Sequence, residues 1–291
     1  MAESLKAALI THVKQDRHFM RRFVQQVRYR SFSLRNAPVL FANSFPKSGT
    51  HLLTQILEGF VQIGPAVNSG LPAMVMYEGS TGRERQSAEI IRGLKQLFHG
   101  DIAYGHLHAL PEIVEILASP MFATFFILRD PRDIVVSHVH YVTEMEPNHV
   151  HHDYYANTLK TFEERLRTSI LGRPDASNPF PDIAGRFAPF MAWLDQPDVF
   201  SVKYEDLLQN REQTISRIIE FAMGRGFPIN LDKGEAVQLL LARINPQKSP
   251  TFRSGKSGGW RTAFTPELRE LFKKTSGELL IQLGYETNND W

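Results

Sequence analysis

Phe45-Pro46-Lys47-Ser48-Gly49-Thr50-His51-Leu52 follows an apolar run, Pro38-Val39-Leu40-Phe41-Ala42, and leads into helical spacing of Leu53, Ile56, Leu57 and Phe60. The pattern predicts a strand, a turn of small residues and a helix N-terminus. Such an arrangement is an anion cradle: first-turn N–H groups point outward and the helix dipole adds partial positive charge. Lys47 supplies a full charge, Gly49 permits close backbone approach, and Ser48 and Thr50 offer hydroxyls. The expected guest is a phosphate-like group. Lysine precedes glycine here, so the Gly-x-x-x-x-Gly-Lys-Ser/Thr order of ATP- and GTP-binding loops is absent.

A second segment, Phe125-Phe126-Ile127-Leu128-Arg129-Asp130-Pro131-Arg132-Asp133, runs on through Ile134, Val135 and Val136 to Ser137. A strand-length apolar run ends at Arg129, on the carboxyl edge where open α/β sheets bind ligands, and a helix is expected from about Asp133. A third segment, Phe252-Arg253-Ser254-Gly255-Lys256-Ser257-Gly258-Gly259-Trp260-Arg261, has the composition of a donor-rich loop.

These segments, in this order, resemble the sulfotransferases that use 3′-phosphoadenosine 5′-phosphosulfate (PAPS). That family's 5′-phosphosulfate loop reads Pro-Lys-Ser-Gly-Thr, as Pro46 to Thr50 do here. The resemblance spans roughly residues 38 to 265. It implies that Arg129 and Ser137 hold the 3′-phosphate, and that Arg253 and Gly255 belong to a late loop closing over the nucleotide. Ser254 stands where the family has lysine, and Lys256 is the candidate to compensate. Tyr204, in Val199-Phe200-Ser201-Val202-Lys203-Tyr204-Glu205-Asp206-Leu207, becomes a candidate neighbour of the adenine. Leu52 replaces the family's adenine-stacking tryptophan, and Phe252 is the candidate substitute. The implied nucleotide site is thus Lys47, Ser48, Gly49, Thr50, His51, Leu52, Arg129, Ser137, Tyr204, Phe252, Arg253, Ser254 and Gly255.

The family carries its general base in Lys-Thr-His-Leu, with which Tyr104-Gly105-His106-Leu107 aligns. His106 is the implied base and His108 the second candidate. A neutral imidazole can take the acceptor's proton near neutral pH. Lys47 is expected to meet charge on the oxygen bridging sulfur and phosphorus. The expected function is in-line transfer of a sulfuryl group to a hydroxyl or amine of a small molecule, with PAP as product and no metal required. Two other readings are an inactive nucleotide-binding relative and an ATP-dependent P-loop kinase. The kinase would need an acidic metal ligand at a neighbouring strand end, where this chain has Arg129.

The 291 residues, 42% hydrophobic and 22% charged, suit one large α/β domain over residues 1–291. The expected fold is a P-loop-like parallel sheet of about five strands with helices on both faces, with strands near 38–44, 101–105, 122–128 and 199–203. A net charge of +2 argues against a general nucleic-acid binder. Residues 1–35 carry eight Lys or Arg against two acidic residues. Leu5, Leu9, Val13, Met20, Val24 and Val27 make this stretch a basic amphipathic helix, expected to pack on the domain with a solvated basic face; membrane-surface contact is the alternative. No apolar run is long enough to span a membrane, no secretory h-region is present, and there are no cysteines. A cytoplasmic enzyme is expected. Residues 68–86 and 173–185 read as loops. His138, His140, His149, His151 and His152 read as solvated loop histidines rather than a metal site, some of them bordering the acceptor. Relatives pair through Lys-x-x-x-Thr-Val-x-x-x-Glu. Here Arg261, Thr265, Pro266 and Glu270 stand at that spacing, and proline in place of valine favours a monomer.

Overall fold

The computed structural model describes residues 16–29, 34–174, 176, 180–249 and 255–291. Leu5, Leu9, Val13, Phe252, Arg253 and Ser254 lie outside the described residues. The strands are β1 (Val39–Ser44), β2 (Val67–Asn68), β3 (Met74–Val75), β4 (Asp101–His106), β5 (Phe122–Leu128) and β6 (Val199–Lys203). Ahead of β4 come α1 (residues 16–28), α2 (Thr50–Ile63) and α3 (Ser87–Leu94). Around β5 lie α4 (Pro111–Leu117) and α5 (Pro131–His140), followed by α6 (Phe162–Leu171) and α7 (Ile183–Phe187). After β6 come α8 (Tyr204–Gln209), α9 (Arg211–Gly224), α10 (Lys233–Arg243), α11 (Trp260–Ala263) and α12 (Pro266–Ser276).

The strands pair in parallel in the order β2-β4-β1-β5-β6, with β3 also on β4. Every residue of β1 and β5 is buried, and alternation divides their side chains between two layers. Val39, Phe41, Phe122, Phe126 and Leu128 pack with α4, α5, α6 and α12 on one face. Leu40, Ala42, Ala123, Phe125 and Ile127 pack with α2, α9 and α10 on the other. Burying each phenylalanine in these layers contributes on the order of 2–3 kcal/mol.

The four long strands fall where the apolar runs predict them. The two-residue strands β2 and β3 were not legible, because neither carries a run of its own. The stretch 68–86, expected as a loop, holds β3 beside the end of β4, with Met74 opposite Gly105 and Val75 opposite His106. Gly105 allows that approach: a Cβ there would lie 2.5 Å from the Met74 carbonyl oxygen. In the stretch 173–185, α7 already begins at Ile183.

Helix α1 attaches by the side expected to face solvent. His18 Nε2 and Arg22 Nη1 reach Asp101 Oδ1 at 2.8 and 2.7 Å, and Arg21 donates to the Asn68 carbonyl. Asp101 is fully buried at the start of β4 and also accepts from the Phe98 N–H. Its charge needs partners, and this draws the basic face inward. Phe19, Met20, Phe23, Val24 and Val27 are left exposed. Asp101→Ala should strip the buried anchor from His18 and Arg22 together. A loss of about 3–5 kcal/mol in urea unfolding is expected, with faster amide exchange in residues 16–28.

Candidate active site

Between β1 and α2 the chain turns through two left-handed residues, Lys47 (φ 72°) and Gly49 (φ 97°). Gly49 is fixed there twice over. Its φ disfavours any side chain, and a Cβ would lie 2.5 Å from Tyr204 Cδ2. The turn leaves the first N–H groups of α2 without intrahelical acceptors. Beneath it Ser48 is fully buried, and its hydroxyl has no partner among the described residues. The Thr50 hydroxyl is engaged, 2.7 Å from Ser44 Oγ.

Parallel pairing sets His106, the last residue of β4, beside the last residue of β1. His106 Nδ1 lies 2.8 Å from Ser44 Oγ and 3.2 Å from the Ser44 carbonyl oxygen. A carbonyl only accepts, so the proton sits on Nδ1 and Nε2 keeps its lone pair. Burial pulls the imidazole pKa down to about 4, against the hydrogen bond to Ser44 and with repulsion from His51 and Lys47. His106 is therefore neutral at physiological pH, with its Nε2 lone pair open to a proton.

Burial, with Arg129 adding repulsion, lowers the Lys47 ammonium to about 7. Its Nζ lies 3.6 Å from the Tyr141 ring centroid. His51 is lowered by burial and by Lys47. Arg129 follows β5, stands over the Tyr204 ring at 4.6 Å, and donates to the Lys256 carbonyl at 2.9 Å. Its Nε is buried and unpartnered among the described residues. These groups share one pocket, and among the described residues their one ion pair is Arg129 with Asp133 at 3.4 Å.

Lys47, Gly49, Thr50, His51, Leu52, His106, Arg129, Ser137, Tyr204 and Gly255 all line one cavity of about 560 Å³. Lys256 lines it too, near the position of the replaced lysine. His108 lines a second cavity of about 580 Å³ and lies 4.8 Å, ring to ring, from Phe190. The two cavities meet at Lys47, His106, His149, Tyr77 and Val75.

The histidines expected in solvated loops are partly internal. His138 and His151 are buried, His138 Nδ1 is 2.8 Å from Ser169 Oγ, and its ring stacks on Phe180. His138, His149 and His151 line the second cavity. Among the described residues no three His, Asp or Glu side chains group as a metal site.

Sequence reasoning also missed the two clamps that hold the late loop and the C-terminal segment. Asp133, expected only as the start of a helix, is buried and accepts from the Gly258 and Trp260 N–H groups at 2.7 and 3.0 Å. Arg132 lies over the Trp260 and Trp291 rings at 3.9 and 4.4 Å and pairs with Asp130 and Glu286. The Asp-Pro-Arg-Asp run was visible, but its partners lie more than a hundred residues away.

Residues 38–284 match the sulfotransferase domain family. This chain belongs to that family. It is 25% identical over 273 residues to a flavonol sulfotransferase-like protein of Flaveria bidentis, covering 84% of this chain and 82% of the relative. Mouse sulfotransferase SULT7A1, solved with PAP, superposes with TM-score 0.56 at 20% identity, covering 87% and 90% of the two chains. Retinol dehydratase, solved with androsterone and PAP, also gives 0.56, at 17% identity and 85% and 83% coverage. These likenesses place the sulfotransferase fold on the chain.

Gly49→Ala should cost about 2 kcal/mol or more, from the left-handed φ and the Tyr204 clash combined. Adding Tyr204→Ala should recover the steric part. Strict additivity of the two variants in denaturant melts would mean that the ring does not press on the turn.

Proposed function

We propose that this chain transfers a sulfuryl group from PAPS to a hydroxyl or amine of a small-molecule acceptor. The observation that supports this most directly is the meeting of two cavities at Lys47 and His106, one rich in anion-binding groups and one largely apolar, walled in part by Phe45, Phe180 and Phe190. The residues present fit the nucleotide. The orphaned Ser48 hydroxyl and the α2 N-terminus suit the 5′-phosphosulfate. Arg129, with its spare N–H groups, and Ser137 suit the 3′-phosphate. Tyr204, Leu52 and Ile244 offer apolar contact to the base.

PAPS supplies an activated sulfuryl group and leaves as PAP. His106 Nε2 takes the acceptor's proton as the new sulfur–oxygen or sulfur–nitrogen bond forms and the bridging sulfur–oxygen bond breaks. Ser44 holds the tautomer that makes this possible. Lys47 Nζ and the α2 N-terminus meet the negative charge left on the phosphate. We also propose that the chain works as a monomer. Thr265 caps α12, accepting from the Leu268 N–H, and Pro266 opens the helix, so the segment is helical where pairing needs it extended. Light scattering at micromolar concentration should give the mass of one chain.

Turnover of PAPS with a phenol, sterol, sugar and amine panel tests the reaction. Lys47→Ala should lower turnover by about 10²–10³ and His106→Ala by about 10²–10⁴, both with unchanged melting. A full rate in His106→Ala with loss in His108→Ala would move the base to His108.

Affinity for PAP carries a pH signature. The nucleotide favours protonated Lys47, whose pKa in the free protein is about 7. Binding should therefore be tightest below that pH, weaken above it, and take up a proton at pH 8 by calorimetry. Lys47→Met should abolish the uptake. PAP should also bind more than about tenfold tighter than adenosine 5′-phosphate, through the Arg129 and Ser137 contacts. Equal affinities would remove the 3′-phosphate subsite.

A further inference from the structure

The second cavity contains a cation that the transfer chemistry does not use. Arg186, in α7, lines it together with His151 and the ring of Phe180. Its guanidinium lies 4.4 Å from the Phe180 centroid, and Nη2 donates to the Ser169 carbonyl. Nε is buried and unpartnered, and no carboxylate among the described residues forms an ion pair with it. Asp182, an acidic group that acts on it, is engaged by the Gly185 N–H at 2.7 Å. Burial pulls the guanidinium down to about 10, so it remains charged.

The surroundings do not neutralise it. Burial and the neighbouring cations Arg173 and Arg186 push His151 down to about 4, leaving it uncharged. The cavity's own carboxylates stand on the 74–85 stretch: Glu78 pairs with Arg83 and Arg85, and Glu84 accepts from the Tyr77 hydroxyl. An arginine held in a largely apolar cavity, with no carboxylate in ion-pair contact among the described residues, is costly unless something brings the charge. The same cavity reaches Lys47 and His106, and Phe45, Phe180 and Phe190 form aromatic walls along it.

We propose that Arg186 is a specificity residue that takes an oxyanion on the acceptor, so that the acceptor is an aryl compound with a hydroxyl for sulfation and a remote carboxylate-like group. This rests on the second cavity being the acceptor site. The planar fork of the guanidinium suits a carboxylate, and the aromatic walls suit an aryl spacer.

The test compares p-hydroxybenzoate, p-hydroxyphenylpropionate and p-hydroxycinnamate with their methyl esters, titrated into the PAP-saturated protein. At least one acid should bind about tenfold or more tightly than its ester, as a charged hydrogen bond implies. Arg186→Gln should erase that preference while leaving ester affinity nearly unchanged, and Arg186→Lys should keep part of it. Equal binding of acid and ester at every length overturns the proposal even if the variants fail to fold. So does a preference that survives in Arg186→Gln. Transfer from PAPS to the esters with indifference to the acids would leave the sulfotransferase reading standing and remove this one.

Discussion

Parallel pairing of β1 with β4 on one side and β5 on the other is the constraint on which the site depends. Strands that run together end together, so Ser44, His106 and Arg129 reach the same edge of the sheet although they are far apart in sequence. The register sets the distances. Asn43 opposite Gly105 leaves Ser44 beside His106, where its carbonyl fixes the imidazole's tautomer. The buried apolar residues of β1 and β5 hold that register, because a one-residue slip would exchange the two core faces.

Electrostatic strain gathers at this edge. Burial lowers Lys47, His51 and His106, and neighbouring groups add to it: Arg129 acts on Lys47, Lys47 on His51, and both Lys47 and His51 on His106. With no acid in the turn, the local field favours an anion of high charge. Arg186 extends the positive field into the second cavity, where no carboxylate among the described residues forms an ion pair with it.

Around this edge the protein uses charge in the opposite sense, to lock distant segments in place. Asp133 gathers two late-loop N–H groups, Arg132 lies over two tryptophan rings, and Asp101 anchors α1. Each is a buried charge with several partners, costly to break and specific in what it accepts. Asp133 joins Gly258 and Trp260 to the same turn that presents Arg129, so one buried carboxylate holds both.

What the sequence determined by itself is what a few neighbouring residues can encode. Apolar runs of strand length marked four strands, and Pro-Lys-Ser-Gly-Thr marked the turn that opens α2. Lys47, Gly49, Arg129 and Tyr204 could be singled out because each stands by a strand end or helix start, where local periodicity changes, whereas Ser137, inside α5, came only from the resemblance. The tertiary structure alone decided the rest. It placed β3 against Gly105, turned the basic face of α1 inward, buried His138 and His151, and left Arg186 without an ion pair among the described residues. Each of these depends on groups brought together across long stretches of chain, such as Ser44 with His106 and Asp133 with Gly258. Burial and hydrogen-bond partners at that range are set by packing, and no local pattern carries them.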